Sequence, residues 1–324
     1  MTTAITADQT REFKETLHNL RWAGVKKTAV SDVLTALDNP IFKTLKIYYQ
    51  AETDWERDFL LRDVFPPAEC VFFRAHEREQ VTADYKYPHR ALVFSSNWLS
   101  VDDVKRMCDS LKPTIIVHCS DEYGDRLAYE ELSDMCQLYL RQYFYAHYPT
   151  RANTVVIPLG YTSGMFSGSS FFHTCKPAAE RELAWAHVGA MKADRAEMQR
   201  AFSSLQPGFF GKSDKAVMRA LYSNAKFSPI GRGNSSVNCF RIYEAITCGA
   251  VPVVVASAQE VQNTFAPDGT LPWLAAETWD DAVLRCRQLV NNNTAIDMLQ
   301  KSCTAWWHER VRNLNNRVAA VLMQ

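Results

Sequence analysis

The sequence predicts an α/β protein built from two Rossmann-like domains. Short apolar segments alternate with amphipathic segments along the chain, in two blocks that meet near residues 158–164. Apolar segments without polar alternation are typical of parallel strands covered on both faces. Strands that alternate with helices indicate doubly wound sheets. At 324 residues, the chain has the length of about two domains.

Eight strands are predicted from these apolar segments. Most of them lack the polar alternation of a half-exposed strand, so we expect both sheets to be buried between layers of helices. The predicted strands are Lys46–Gln50, Cys70–Arg74, Ala91–Ser95, Thr114–Cys119, Thr154–Pro158, Leu183–Val188, Ala225–Ser228 and Val251–Ala256.

Helix starts are marked by capping-box patterns, in which a serine or threonine is followed three residues later by an acidic residue. Ser100–Asp103, Thr278–Asp281 and Thr294–Asp297 each fit this pattern, and the last opens a helix that extends towards Met323. Apolar residues at helical spacing also predict one long helix over residues 127–144.

Turn-forming residues place the domain boundary. Pro158–Gly164 follows a predicted strand and is rich in glycine, serine and proline, which predicts a hinge. We therefore expect a first domain over residues 1–158 and a second over 165–300. The remaining residues, 301–324, are predicted to be helical, and packing back against the first domain is one arrangement open to them.

Charge and composition exclude several classes of partner. Lysine and arginine total 36, as do aspartate and glutamate, so the formal net charge is zero. A neutral chain lacks the overall field that attracts nucleic acid or anionic membranes, so any anion site must be local. The longest apolar run, Ala250–Ala256, is far shorter than the roughly 20 residues of a membrane span.

A cytoplasmic location is the expectation from the N-terminus and the cysteines. Asp8, Arg11 and Glu12 interrupt any signal-peptide core. Nine cysteines, an odd number, show no CxxC spacing, which favours free thiols in a reducing compartment over disulfides or a zinc site.

A glycine-rich loop between a strand and a helix is the strongest functional signal. Ser235 or Ser236 is predicted to cap the helix, so that amide groups and the positive end of the helix dipole point at the loop. Such an end binds phosphate, and Arg232 between two glycines can reach over it. The predicted anion-binding loop is Gly231, Arg232, Gly233, Asn234, Ser235 and Ser236.

The helix after the loop carries an acidic residue suited to a ribose. Arg241 and Glu244 are three residues apart and so share one helix face. A carboxylate one to two turns below a phosphate loop is well placed to accept ribose hydroxyls. The alternative is a structural ion pair between the two side chains, worth under about 1 kcal/mol at a surface.

This block resembles the exostosin-like glycosyltransferases, whose hallmark is a loop, an Arg-x-x-Glu-Ala helix and a Gly-x-Val-Pro-Val strand. The resemblance is strongest over residues 225–275 and extends to 157–160 and to His187–Gly189 with Arg195. It implies the GT-B architecture, two Rossmann-like domains facing a central cleft. It also implies inverting transfer of a sugar, with xylose a first guess, from a UDP-sugar in the second domain to a glycan hydroxyl in the first.

The same resemblance implies roles for the loop residues: Glu244 holds the ribose, and Arg232, Ser235 and Ser236 hold the diphosphate. No two aspartates are separated by one residue, so the Asp-x-Asp motif of metal-using transferases is absent. We therefore expect no metal and no further cofactor, the phosphate charge being met by Arg232, Arg241 and helix amides.

The catalytic base is expected at the end of a buried strand in the first domain. In α/β folds, ligands bind at the carboxyl ends of strands, and an inverting transferase needs a group that takes the acceptor proton. Asp121 is the first candidate, with Glu122 and His118 in reserve. Asp121 could instead cap a helix, and His118 could be a hydrogen-bonded core residue.

Other features leave alternatives open. Gly231–Ser236 imitates the GxGxxG fingerprint of a nicotinamide-dependent oxidoreductase, but the acidic residue expected at the end of the next strand is missing. A non-catalytic sugar-nucleotide-binding module is a third interpretation. Trp306–Trp307 fits core packing better than a sugar platform, Lys212 could touch phosphate, and Trp55 could stack on an acceptor sugar.

Overall fold

Parallel strands make up both sheets of the structure, a computed structural model that describes residues 39–170, 173–265 and 271–324. Residues 1–38 of the predicted first domain, with Asp8, Arg11 and Glu12, lie outside the described part. The strands are β1 (Leu45–Gln50), β2 (Glu69–Phe73), β3 (His89–Ser95), β4 (Ile115–Cys119), β5 (Leu138–Gln142), β6 (Thr154–Ile157), β7 (Leu183–Val188), β8 (Gly208–Gly211), β9 (Ala225–Ile230), β10 (Val251–Val255) and β11 (Leu274–Ala276).

Both sheets are doubly wound, which confirms the predicted fold class. The first has the order β2-β1-β3-β4-β5-β6 and the second β11-β10-β9-β7-β8. The chain leaves β1 in one direction to β2 and returns to β3 on the other side; β7, β8 and β9 repeat this arrangement. The strand order therefore reverses between β1 and β3 and again between β7 and β9, and such switch points are where open α/β sheets bind ligands.

Helices cover the sheets, and those predicted from capping boxes begin at or close to their predicted starts. Ser100 accepts a hydrogen bond from the Asp103 amide at 3.1 Å, and Thr278 accepts one from Asp281 at 3.1 Å. The last helix starts two residues early, where Asn292 caps it in place of Thr294. The α-helices of eight or more residues are α1 (Val101–Leu111), α2 (Arg195–Phe202), α3 (Lys215–Asn224), α4 (Phe240–Thr247), α5 (Ala258–Phe265), α6 (Trp279–Leu289) and α7 (Asn293–Leu322). A shorter helical segment after β1 covers Arg57–Phe59 and Leu60–Val64.

The helix predicted over residues 127–144 is wrong. A 3₁₀ stretch covers Leu127–Met135, and β5 follows between β4 and β6. All five residues of β5 are buried, so it lacks the polar alternation that distinguishes a strand. Apolar residues in such a strand also fall at helical spacing, and the pattern fits both structures.

The helix after the glycine-rich loop begins later than predicted. It starts at Phe240, and neither Ser235 nor Ser236 caps it. Val237 is fully buried, and the Asn238 side chain accepts a hydrogen bond from the Tyr243 hydroxyl at 2.8 Å, so this stretch stays a loop. The short edge strands β8 and β11 were also not predicted.

The C-terminal helix α7 contacts both sheets. The Trp307 ring, which is fully buried, lies 5.6 Å from Phe59 after β1 and 5.4 Å from Tyr243 in α4. Farther along, the Asn315 side chain donates to the Val64 carbonyl at 3.3 Å. One hydrophobic core consequently runs from the first sheet through α7 into the second.

Candidate active site

The carboxyl ends of both sheets face one cleft between the domains. Glu122, just after β4, hydrogen-bonds residues of the loop after β9. Trp55, after β1, packs its ring 5.9 Å from Phe240 at the start of α4. Because each sheet presents its switch point on this side, the cleft is the candidate active site.

The Glu122 side chain is hydrogen-bonded to backbone amides of the glycine-rich loop. Its carboxylate accepts hydrogen bonds from the Asn234 amide and side chain, both at 2.6 Å, and from the Ser235 amide at 3.2 Å. A Cβ on Gly233 would collide with this carboxylate, so the glycine permits the close approach. The loop therefore binds an anion, and in this structure the anion is a side chain of the first domain.

Arg232 points away from the loop. Its guanidinium forms a bidentate pair with Glu260 of α5, with Nη2 2.6 Å from Oε2, and its amide donates to Asp194 at 2.9 Å. Ser236 accepts a hydrogen bond from the Asn238 amide at 3.0 Å. Sequence spacing did not reveal these partners, because Glu260 and Asp194 come from other elements.

Two arginines stand at the switch point of the second sheet. Arg195 of α2 is buried, donates to the carbonyls of Ala190 at 2.8 Å and Arg232 at 2.9 Å, and leaves its Nε without a partner. Arg241 of α4 donates to the carbonyl of Val188, the last residue of β7, at 2.6 Å. A Cβ on Gly231 would collide with Arg195. Positive charge is thus concentrated beside the first turn of α4, whose N-cap, Cys239, makes no side-chain cap.

Glu244 is fully buried where α4 meets the hinge. Its Oε1 accepts from the Thr162 hydroxyl at 2.5 Å and from the Thr162 amide at 3.3 Å. Its Oε2 pairs with Arg241. Lys215 donates to the same Thr162 hydroxyl, and burial lowers the pKa of Lys215. The predicted ribose ligand therefore joins the second domain to residues 158–164.

Asp121 lies in the turn after β4 and is buried. The Tyr148 hydroxyl donates to its Oδ2 at 2.6 Å. Burial raises the pKa of Asp121, and the hydrogen bond from Tyr148 opposes this effect. Arg141 of β5 lies over the Tyr148 ring, 4.8 Å from its centroid. Asp121 begins no helix of the described residues, so the capping alternative does not hold.

His118 is enclosed in the first-domain core. Its ring stacks on Phe94 at 5.0 Å and on Tyr129 at 4.9 Å, and its Nδ1 lies 2.9 Å from the Tyr139 hydroxyl. Burial lowers the pKa of His118 to about 3, so the imidazole is neutral at physiological pH. This arrangement favours the hydrogen-bonded core interpretation.

The remaining sequence features divide between cleft and core. Trp55 is 63% exposed at the cleft. Trp307 lies in the core, and Lys212 follows the edge strand β8 and is exposed. A hollow of about 840 Å³ lies beyond the ends of β10 and β11, lined in part by Trp273 and Arg285, and is separate from the switch point.

Among residues 39–170, 173–265 and 271–324, no group of three or more histidine, cysteine or acidic side chains is arranged to hold a metal ion. Within the same ranges, no helix combines the length and apolar character required for a bilayer span. All nine cysteines are free thiols.

Comparisons with solved structures show the fold. Anabaena Alr3699/HepE in complex with UDP superposes with a TM-score of 0.54 at 8% identity, covering 86% of this chain and 99% of that one. The same protein in complex with UDP-glucose gives a TM-score of 0.54 at 10% identity over the same shares. No protein-family model matches the sequence, and a search of curated proteins finds no match. The chain has the GT-B fold, and its exostosin-like resemblance stays a prediction.

Proposed function

We propose that this protein is an inverting, metal-independent glycosyltransferase that moves a sugar from a UDP-sugar to a hydroxyl of a glycan acceptor. The observation that carries the proposal is the pair of doubly wound sheets whose switch points open onto one cleft. Support comes from the HepE fold, solved with UDP and with UDP-glucose, and from the exostosin-like sequence block. Xylose is the donor sugar to test first.

The donor binds to the second domain in this proposal. Arg195 and Arg241 supply positive charge at the switch point, and the amides of Asn234 and Ser235 are hydrogen-bond donors for a diphosphate. Because the Glu122 carboxylate now holds these amides, the diphosphate replaces it. Gly231 and Gly233 allow the close approach of backbone and ligand, and Arg232 and Ser236 shape the loop.

The ribose binds to Glu244 by exchange. Both carboxylate oxygens of Glu244 have partners: Thr162 of the hinge donates to Oε1, and Arg241 pairs with Oε2. Ribose hydroxyls can replace Thr162 as donors to Oε1, while Arg241 stays paired to Oε2. Donor binding would in this way loosen a contact that joins the hinge to α4.

The reaction is a single displacement. The acceptor oxygen attacks the anomeric carbon from the face opposite UDP, a new C–O bond forms, and the bond to the diphosphate breaks with its electron pair leaving on UDP. Arg195 and Arg241 stabilise the charge that develops on UDP. The acceptor proton passes to a group of the first domain, for which Asp121, Glu122 and His118 are the candidates from the sequence.

A thermal-shift panel of nucleotide sugars tests the donor assignment. A true donor stabilises the folded state by mass action, so UDP and one UDP-sugar should raise the melting temperature. UDP release, measured with and without glycan acceptors, then tests transfer. Stabilisation without UDP release would indicate a binding module, and a shift by NADH alone would indicate an oxidoreductase.

Transfer in excess EDTA tests the metal assignment. We expect UDP release to continue at an unchanged rate, because arginines and backbone amides, in this proposal, meet the phosphate charge. A rate that falls with EDTA and returns with Mg²⁺ or Mn²⁺ would contradict metal independence.

A further inference from the structure

Buried polar groups without partners lie at the switch point of the first sheet. Gln50, the last residue of β1, is fully buried; its Oε1 accepts from the Ser95 amide at 2.8 Å, and its Nε2 has no partner. The hydroxyl of Ser96, just after β3, is buried and also unpaired. A buried polar group without a partner destabilises the folded state, and a ligand that supplies the missing hydrogen bond removes this cost. The Gln50 amide nitrogen and the Ser96 hydroxyl could both hydrogen-bond the hydroxyls of a ligand at this switch point.

A buried carboxyl group that is not among the candidates from the sequence lies near the same carboxyl ends of the strands. Glu56 follows β1 and is 4% exposed. The Gln142 side chain, at the end of β5, donates to Glu56 Oε1 at 3.3 Å and accepts from the Ser120 amide at 2.8 Å. Gln142 therefore fixes Glu56 to the carboxyl ends of β4 and β5. Burial raises the pKa of Glu56 to about 7, although the Gln142 hydrogen bond opposes this.

The segment that carries Glu56 also meets the second domain. The Trp55 carbonyl accepts from the Ser163 amide of the hinge at 2.8 Å, and the Trp55 ring packs against Phe240. Glu56 therefore lies between the carboxyl ends of the first sheet and the start of α4 in the second domain.

We propose that Glu56 is the catalytic base, and that Gln50 and Ser96 hydrogen-bond the acceptor sugar beside it. In the transfer step, the acceptor O–H bond breaks with its proton passing to the Glu56 carboxylate. The oxygen electron pair forms the bond to the anomeric carbon, and the bond to UDP breaks. Asp121, held by Tyr148, then acts as a structural residue of its turn. This inference rests on the proposed function.

The test compares Glu56→Gln with the wild type, using whichever UDP-sugar stabilises the protein. We expect the rate of UDP release to fall by about 100-fold or more, the usual contribution of a general base, while UDP affinity by calorimetry is unchanged. Asp54→Asn is the matched control: Asp54 is an exposed acid of the same segment that pairs with Arg57. It should release UDP at the wild-type rate.

The pH profile separates a base from a structural residue. The base must be ionised, so wild-type release should increase with pH up to about 7 and then level off. Glu56→Asp keeps a carboxyl group, so its rate of UDP release should be lower but should still increase with pH. In Glu56→Gln, the increase of the rate with pH should disappear. Unchanged release in Glu56→Gln, or an increase with pH that persists there, overturns the inference.

A stability measurement tests the same carboxyl group if release is too slow to follow. An acid whose folded pKa is raised destabilises the folded state as pH rises through the window between its unfolded and folded pKa values. The stability of Glu56→Gln relative to the wild type should therefore increase between about pH 4.5 and pH 7 and then level off. A difference that stays constant overturns the inference. Failure of the wild type to bind any UDP-sugar would instead refute the proposed function.

Discussion

Glu244, to which we assign the ribose of the donor, also binds Thr162 of the hinge. The Thr162 hydroxyl and amide both donate to Oε1 of Glu244, and these are the positions that ribose hydroxyls would take. Hydrogen bonds to a charged group contribute about 1.5–3 kcal/mol. Loss of Glu244 should therefore affect donor binding far more than loss of Thr162.

We predict that Glu244→Gln weakens UDP binding by about 10-fold or more, the equivalent of one hydrogen bond to a charged group. Thr162→Val should bind UDP as tightly as the wild type or more tightly, because the shorter of the two Thr162 hydrogen bonds to Oε1 no longer has to be displaced. Calorimetric titration with UDP measures both. Since Glu244→Gln leaves Arg241 without its buried partner, thermal unfolding must first show a folded variant. Equal UDP affinity in folded Glu244→Gln would exclude the ribose role.

His118 has a predictable effect on acid stability. Its folded pKa lies below its unfolded value, so the unfolded chain takes up a proton below about pH 6.5 that the folded state does not. Stability is lost as pH falls through this range, by about 1.4 kcal/mol per pH unit.

His118→Phe keeps the ring stack with Phe94 and Tyr129 but has no group that titrates. We therefore expect the loss of folding stability that His118 causes at low pH to be absent from this variant. Between about pH 6 and pH 5, the variant should lose about 1 kcal/mol less stability than the wild type. Urea unfolding at several pH values measures the difference. Parallel stability curves would contradict a buried neutral imidazole.

At the level of elements, the loops after β4 and β9 are joined by a carboxylate. Glu122 carries negative charge into the amides that we assign to the diphosphate. Donor binding must therefore displace one anion with another, and the apparent affinity for UDP is reduced by that exchange.

We predict that Glu122→Gln binds UDP several-fold more tightly, since removal of the charge weakens the competing contact by about 1 kcal/mol or more. Asp125→Asn, in the same loop, exposed and free of contact with the glycine-rich loop among the described residues, should leave UDP affinity unchanged. Weaker binding in Glu122→Gln would mean that Glu122 supports the loop in its binding conformation.

Elements that are determined by residues close in sequence could be predicted, whereas those that depend on tertiary contacts could not. Strands such as β7, predicted as Leu183–Val188, combine an apolar run with a turn at each end and match the structure. The 127–144 segment failed because a fully buried strand and a helix share the same apolar spacing. The start of α4 failed because Val237 and Asn238 are held by tertiary packing, which overrides a serine cap.

The site was predicted less completely, because its residues meet across long sequence separations. The glycine-rich loop was recognised locally, but the pairing of Arg232 with Glu260 depends on where α5 lies. No local sequence pattern distinguishes Glu56 from other acidic residues. Its position depends on the hydrogen bond from Gln142, which lies in β5, a strand that the sequence predicts as helix.

Over the whole molecule, α7 packs against both domains. Trp307 contacts Phe59 of the first domain and Tyr243 of the second. We predict that Trp307→Ala lowers the free energy of unfolding by about 3–5 kcal/mol, as large-to-small core changes do. Trp306→Ala, at a partly exposed neighbour, should cost less. Urea unfolding followed by circular dichroism measures both; equal losses would contradict a bridging role for Trp307.

The hinge and α7 join the domains along the same side. Ser170, beyond the hinge, donates to Asp63 at 2.6 Å, and the indole of Trp307 donates to Ser170 at 3.3 Å. Because both connections lie on one side, we expect any opening of the proposed donor–acceptor cleft to occur on the opposite side. Nucleotide and acceptor then share a single entrance. We expect an ordered kinetic scheme, in which the sugar nucleotide enters first and UDP, the last to depart, inhibits competitively against it.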